Sequence, residues 1–183
     1  MYRYELLLKL AELIEHDKEY LMELESIDNN EPCGVGSSTD IDLVINCYRY
    51  YADWSCRIAS VAHREPFGVC ACIIPSCFPL LIQAWKLGPA LACGNSIVMQ
   101  SSTKVSVSAL HVCRLIRQAG FPAGVVNMIN GYNSLVEDYL VTHPDVEKVS
   151  REISPAVAEV IKRYASTARV QVNLNQFSTF YCF

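Results

Sequence analysis

The chain has 183 residues, enough for one domain with a buried core, and its 51% hydrophobic content indicates a globular protein. The net charge of −4, a pI near 5.5 and the lack of any Lys or Arg cluster argue against nucleic-acid binding. Nine cysteines occur without a Cys-x-x-Cys pair or a His-x-x-x-His pattern, so we expect neither a metal site nor a disulfide framework.

The opening stretch, YRYELLLKLAELIEHDKEYLMELESID, is predicted to be helical. Its apolar side chains recur near helical spacing: Leu7, Leu10, Ala11, Ile14, Leu21 and Leu24. The pattern begins almost at the first residue, without a capping side chain. A helix of this kind is expected to continue a longer chain, because its first amides lack side-chain partners.

A second helix is predicted after the break formed by Asp28–Pro32 and Gly34–Gly36. One of four neighbouring polar residues is expected to cap it: Ser37, Ser38, Thr39 or Asp40. Its predicted buried face carries Ile41, Val44, Ile45, Tyr48, Tyr51, Ala52 and Cys56. We therefore interpret residues 1–63 as an N-terminal helical segment.

Strands and helices are predicted to alternate through residues 64–149. The strands are the apolar runs Val69–Ile74, Ser96–Gln100 and Val125–Ile129, with a fourth run starting at Val146. The intervening helices are a stretch from Pro79 to near Gly94, then Val107–Ala119 and Ser134–Val141. Because each strand is apolar on both faces, we predict an α/β fold. Its core is a partial Rossmann-like parallel sheet with flanking helices, preceded by two helices.

The helix after the first strand carries a glycine in its middle. Gly88 would cost roughly 1 kcal/mol relative to Ala, so a close backbone contact is expected there. The side chains predicted to point inward from this helix are Leu80, Leu81, Ala84, Trp85 and Leu91.

Several motifs of this stretch carry a family resemblance. REPFGV, IIPSCFPL, AWKLGPAL, CGN and AGFPAGV resemble, in order and spacing, the cofactor domain of NAD(P)-dependent aldehyde dehydrogenases. They are most similar to the cytosolic retinal and acetaldehyde type, and Tyr50–Trp54 resembles the family's YYAGW helix. The resemblance covers about half the chain. It implies oxidation of an aldehyde to a carboxylic acid, with NAD or NADP as hydride acceptor.

The catalytic residues of the family are not matched. Neither the GQxC segment of the nucleophile nor the LELGGK segment of the base occurs, so we predict a truncated, catalytically inactive relative. Cys77 occupies the oxyanion Asn position, and a thiol is a poor hydrogen-bond donor. A nucleophilic Cys77 is an alternative to a buried structural thiol, which we favour. No catalytic partner is visible for His16, His63, His111 or His143.

The resemblance also implies four cofactor-binding candidates: Ile74, Pro75, Gln100 and Thr103. Gln100 and Thr103 replace a Lys and a Glu that hold the adenosine ribose hydroxyls in the family. Gln brings no charge, and Thr lacks the two acceptor oxygens of a carboxylate, so NAD or NADP binding is expected to be weakened or lost. The alternative is that the retained glycines and prolines are only packing and turn residues.

Residues 150–183 are interpreted as a divergent tail, because the resemblance is expected to end after Val149. A compressed echo of a later family motif is an alternative for Glu152–Arg163. The final VNLNQFSTFYCF is apolar and is expected to favour aggregation as an exposed strand.

Two functions other than catalysis follow from these expectations. Ala59–His63 stands where the family has a strand pair that helps oligomers form, so weaker oligomerisation is expected. The chain is then either an interaction partner of a full-length aldehyde dehydrogenase or the product of a decayed gene. We predict a cytosolic location, since no signal-peptide pattern or membrane-length apolar run occurs.

Overall fold

The computed structural model describes residues 2–29, 35–60, 65–76, 78–102, 107–131 and 133–151. These ranges form six helices and four strands, in the order α1 (Tyr2–His16), α2 (Lys18–Asn29), α3 (Val35–Ser60), β1 (Val69–Ile73), α4 (Pro79–Ala92), β2 (Ser96–Gln100), α5 (Val107–Ala119), β3 (Val126–Ile129), α6 (Asn133–Thr142) and β4 (Lys148–Arg151). None of these helices is long and apolar enough to cross a membrane.

The four strands form one parallel sheet in the order β3-β2-β1-β4, which confirms the predicted parallel architecture. Cys72 on β1 pairs with Met99 on β2 and with Ser150 on β4. The chain runs from β1 through β2 to β3 and then returns to place β4 on the other side of β1. This reversal creates a topological switch point between β1 and β4.

Helices cover both faces of the sheet, as predicted. The larger cluster of buried residues joins one face, including Cys70, Cys72 and Ile97, to α1, α3, α4 and α5. The smaller cluster joins the opposite face to α6, with Ala71 and Ile73 close to Leu140 and Val141. Right-handed crossovers explain this division, because the direction of travel along the sheet reverses after β3.

The N-terminal segment differs from the prediction, since three helices rather than two precede β1. The predicted apolar positions of the opening stretch are buried, but the helix is interrupted at Asp17. Both carboxylate oxygens of Asp17 bond to histidines, at 2.8 Å from His16 and from His111. The backbone bonds stay helical there, because the N–H of Asp17 donates to the carbonyl oxygen of Leu13 and the N–H of Leu21 donates to that of Asp17.

Burial corrects two further predictions. Cys56, predicted to lie on the inner face of α3, is exposed. The helix also starts earlier than predicted, at Val35, so that the expected capping residues 37–40 lie inside it. Trp85, predicted to point inward from α4, is 37% exposed. Both residues lie at the edge of an apolar stripe, where spacing alone separates buried from exposed positions poorly.

The expected close contact at Gly88 is present. A Cβ atom on Gly88 would lie 2.6 Å from Cδ2 of Tyr51, which belongs to α3. The glycine therefore lets two helices of the same layer approach each other. α5 has the predicted bounds, and Gly120 follows it with a φ of 100° that suits glycine.

Candidate functional site

The candidate site lies where β1 and β2 end at the same edge of the sheet. Ile73 and Gln100 are register partners, and the backbone N–H of Ile74 donates to the carbonyl oxygen of Gln100 over 2.8 Å. Pro75 follows and is half-buried. The structure thus brings together three of the four predicted cofactor-binding residues, while Thr103 lies outside the described residues, as does Cys77.

Burial divides these three candidates into two kinds. Ile74 and Gln100 are only 2% and 1% exposed, so their side chains belong to the interior beneath the edge. Pro75 is accessible, and the exposed Ser76 follows it. Pro75 is therefore the most accessible of the three at this edge, whereas the side chains of Ile74 and Gln100 are buried.

Phe78, which precedes α4, has an unusual backbone conformation. Its φ of 48° and ψ of 52° lie in the left-handed region, which a bulky side chain rarely adopts, and its side chain is 57% exposed. Such a conformation costs on the order of 1–3 kcal/mol and is concentrated at functional sites. No pattern in the sequence indicates it, because Phe is not a residue that favours positive φ.

Two buried lysines, Lys86 and Lys148, lie close to Cys72 on one face of the sheet. Nζ of Lys86 on α4 donates to Oγ of Ser150 on β4 over 3.0 Å. Nζ of Lys148 lies 4.9 Å from the ring centre of Phe67, within cation–π distance. These contacts hold α4 and the segment just before β1 against β4.

The described cysteines near this interior are not activated. Burial raises the pKa of Cys72 to about 12 and that of Cys70 to about 11, although the lysine charges partly oppose the increase. Burial likewise raises the pKa of Cys47 to about 12 and that of Cys113 to about 11. Since the thiolate is the nucleophilic form, these four thiols are inert near neutral pH.

One polar constellation was missed from the sequence. Asp17 accepts hydrogen bonds from His16 and His111. Both bonds lower the pKa of Asp17, and the bond from His16 has the larger effect. The edge of Tyr20 packs on the His111 ring, with 4.9 Å between ring centres. No sequence signal joins Asp17 to a histidine 94 positions away, so only the fold reveals the pair.

Metal-ligand geometry is absent from the part of the chain that the structure describes. No group of three or more His, Cys, Asp or Glu side chains is arranged there to hold a metal ion.

A doubly wound parallel sheet with a switch point beside its central strand defines a nucleotide-binding type of α/β protein. The family model described as "Aldehyde dehydrogenase family" matches residues 1–178. The chain therefore belongs to the aldehyde dehydrogenase family. This match also corrects the expectation that the resemblance ends after Val149.

Curated relatives extend the same conclusion. The chain is 43% identical over 177 residues to mitochondrial aldehyde dehydrogenase of Sus scrofa, an alignment that covers 91% of this chain and 34% of the relative. It is 36% identical over 180 residues to retinaldehyde dehydrogenase 3 of Rattus norvegicus, covering 92% of this chain and 35% of the relative. The chain thus spans about a third of the length of these proteins.

Solved structures agree with the fold. The NAD+ complex of aldehyde dehydrogenase from Bacillus cereus superposes with a TM-score of 0.87 at 35% identity, covering 95% of this chain and 38% of that one. PnpE from Pseudomonas sp. WBC-3, in complex with nicotinamide adenine dinucleotide, gives a TM-score of 0.86 at 35% identity with the same coverage.

Proposed function

We propose that these 183 residues form a dinucleotide-binding unit that holds NAD+ or NADP+ weakly and does not oxidise aldehydes by itself. The observation that carries this proposal is the switch point between β1 and β4, with three candidate residues at the carboxyl edge of the sheet. Open α/β sheets bind nucleotides in this position, and two family members similar to this chain are described as NAD complexes.

The described residues fit such a cofactor in part. Pro75 offers an accessible apolar surface at the edge, and Ile74 and Gln100 support the backbone beneath it. When bound, the cofactor supplies a hydride acceptor. Gln100, however, is uncharged and its side chain is buried, so we infer that it contributes less to binding than a charged side chain would.

The absence of turnover follows from the chemistry that aldehyde oxidation requires. The reaction needs a thiolate to attack the carbonyl carbon and a carboxylate to activate water. The family's nucleophile and base motifs do not occur in the sequence. The thiols of Cys47, Cys70, Cys72 and Cys113 have pKa values raised to about 11–12. A bound cofactor would therefore have no activated substrate from which to accept hydride.

Calorimetric titration with NAD+ and NADP+ tests the binding half of the proposal. We expect weak binding to the native chain and about tenfold tighter binding by Gln100→Lys. The long Lys side chain can carry its charge from this buried position to the edge of the sheet and add one charge-assisted hydrogen bond worth about 1.4 kcal/mol. Gln118→Lys, which adds the same charge at an exposed position of α5, is the matched control and should bind like the native chain. Equal affinity for all three proteins would contradict this site.

Turnover is measured separately, from NADH formation with short-chain and aromatic aldehydes. Any steady production of NADH by the purified chain would overturn the second half of the proposal. A chain that neither binds cofactor nor unfolds cooperatively would instead support the alternative of a decayed gene product.

A second candidate function is that of a partner for a full-length aldehyde dehydrogenase. It is favoured by the edge strand β3, which has β2 as its only neighbour in the described sheet and carries the exposed Ile129. An open edge of this kind can accept a strand from another chain. Co-elution with a full-length relative in size-exclusion chromatography tests it, and a clean monomer in the mixture would count against it.

The cytosolic location is likewise a proposal, to be tested by cell fractionation, since curated relatives include mitochondrial enzymes.

A further inference from the structure

Glu25 on α2 is a buried carboxyl group at a junction of helices. It is only 2% exposed, and neither of its carboxylate oxygens completes a hydrogen bond within the described residues. Burial is the main reason that the pKa of Glu25 is raised from 4.5 to about 7. An acid in such a position changes its charge within the physiological pH range.

The charged groups around Glu25 come from its own helix and from α3. Asp28 on α2 and Asp40 on α3 both raise the pKa of Glu25 through their negative charges. Burial raises the pKa of Asp40 as well. The backbone N–H of Leu80, on α4, lowers the pKa of Glu25. Among the described residues, ionised Glu25 would thus face two carboxylates and one favourable dipole.

Asp28 connects this junction to the start of α5. Its oxygens accept hydrogen bonds from the backbone N–H of Val107 over 3.3 Å, from the N–H of Ser108 over 2.8 Å and from Oγ of Ser108 over 2.6 Å. The first amides of α5 are therefore already bonded and cannot turn to stabilise a second charge at Glu25.

We propose that Glu25 is a pH-sensitive latch, which keeps α2 packed on the starts of α4 and α5 while its carboxyl group is protonated and loosens this junction when it ionises. α4 follows β1 and α5 follows β2, so the junction supports the segments that lead away from the carboxyl edge of the sheet. The proposal goes beyond cofactor binding and does not depend on it, because it concerns the packing of the helices alone.

The pH window follows from the two ionisation states. In the closed junction the pKa of Glu25 is about 7, whereas a solvated Glu has its ordinary value of 4.5. Opening therefore becomes more favourable by roughly tenfold for each pH unit between these values, and it levels off above the higher one. We expect protection against opening to be roughly 50-fold greater at about pH 5 than at about pH 7.5.

Hydrogen exchange of the full chain, expressed as protection factors corrected for intrinsic exchange, tests the latch. Protection in α2 and in the first turn of α5 should fall as pH rises in the native chain and should not vary with pH in Glu25→Gln. In Asp40→Asn the fall should be smaller and level off at a lower pH, because removal of one repelling charge lowers the pKa of Glu25 in the closed junction. Glu23→Gln, an exposed acid on the same helix, should behave like the native chain.

Three outcomes would overturn the proposal. They are pH-independent protection at this junction in the native chain, an unchanged pH dependence in Glu25→Gln, or loss of protection spread evenly over all helices and strands. A carbon-13 NMR titration of the Glu25 carboxyl group in the native chain gives an answer even if the variants fold poorly. Titration near the ordinary Glu value would exclude the latch.

Discussion

At the residue scale, Gly88 controls how closely α4 approaches α3. We predict that Gly88→Ala destabilises the chain, because the new methyl group would lie 2.6 Å from the Tyr51 ring. Overpacking typically costs about 1–3 kcal/mol, and the better helix propensity of Ala returns at most about 1 kcal/mol. Urea denaturation should therefore show a net loss of up to about 2 kcal/mol after the full gain in helix propensity.

Tyr51 provides the control for this prediction. In a Tyr51→Ala background the ring is gone, so Gly88→Ala should be neutral or stabilising. An equal loss of stability in both backgrounds would mean that the glycine is needed for a reason other than the ring. Here the sequence predicted the contact from the position of the glycine, but it did not identify the partner.

Asp17 is predicted to contribute to stability in a pH-dependent manner. Its hydrogen bonds with His16 and His111 lower its pKa below 3.8, so the stabilisation is fully present above that value and is lost as pH falls through the folded-state pKa. Asp17→Asn should lower Tm at neutral pH, and the difference from the native chain should shrink in acid.

The matched control for Asp17 is Asp42→Asn, which removes the exposed 2.7 Å ion pair with Lys18. Exposed pairs contribute little, so this variant should change Tm less than Asp17→Asn does. If the two substitutions lower Tm equally, the hydrogen bonds with the histidines have no special importance for stability.

At the element scale, α5 is capped by a residue from another helix. Asp28 of α2 bonds the first amides of α5, and 79 positions separate it from Val107. We predict that Asp28→Ala costs about 0.5–2 kcal/mol, the usual effect of losing a cap, measured by chemical denaturation. Asp28→Asn keeps one acceptor oxygen and should cost less, whereas equal losses would exclude a capping role.

Elements with local signals were predicted well. The bounds of α5 match because Gly120 ends that helix. The bounds of β2 match because Gly94 ends α4 and an apolar run marks the strand. The division between α1 and α2 was missed, because apolar spacing continues across Asp17. The side chain of Asp17 bonds there to His111 of α5, and no local pattern encodes a contact of that range.

At the scale of the whole molecule, one large core joins the helical layer to the sheet. We predict a single cooperative unfolding transition, seen at the same denaturant concentration by tryptophan fluorescence and by circular dichroism. The tryptophans, Trp54 and Trp85, belong to α3 and α4, so fluorescence reports on the helical layer. Two separate midpoints would show that the N-terminal helices unfold independently of the sheet.

The candidate site was predicted as a location rather than as a set of side chains. Ile74 and Gln100 were named separately as cofactor-binding candidates, and the structure places them side by side because the ends of parallel strands meet at one edge. That Gln100 is buried, that Phe78 adopts a left-handed conformation and that Glu25 lies at a helix junction all depend on tertiary packing. Sequence patterns do not carry this information.

The strand order has a consequence for synthesis of the protein. β1 is central, yet its partner β4 begins at Lys148, far behind Val69 in the order of translation. Until β4 leaves the ribosome, one edge of β1 has bare amide and carbonyl groups beside apolar side chains, and it can pair with another nascent chain. Slow translation between β3 and β4 would prolong this exposure.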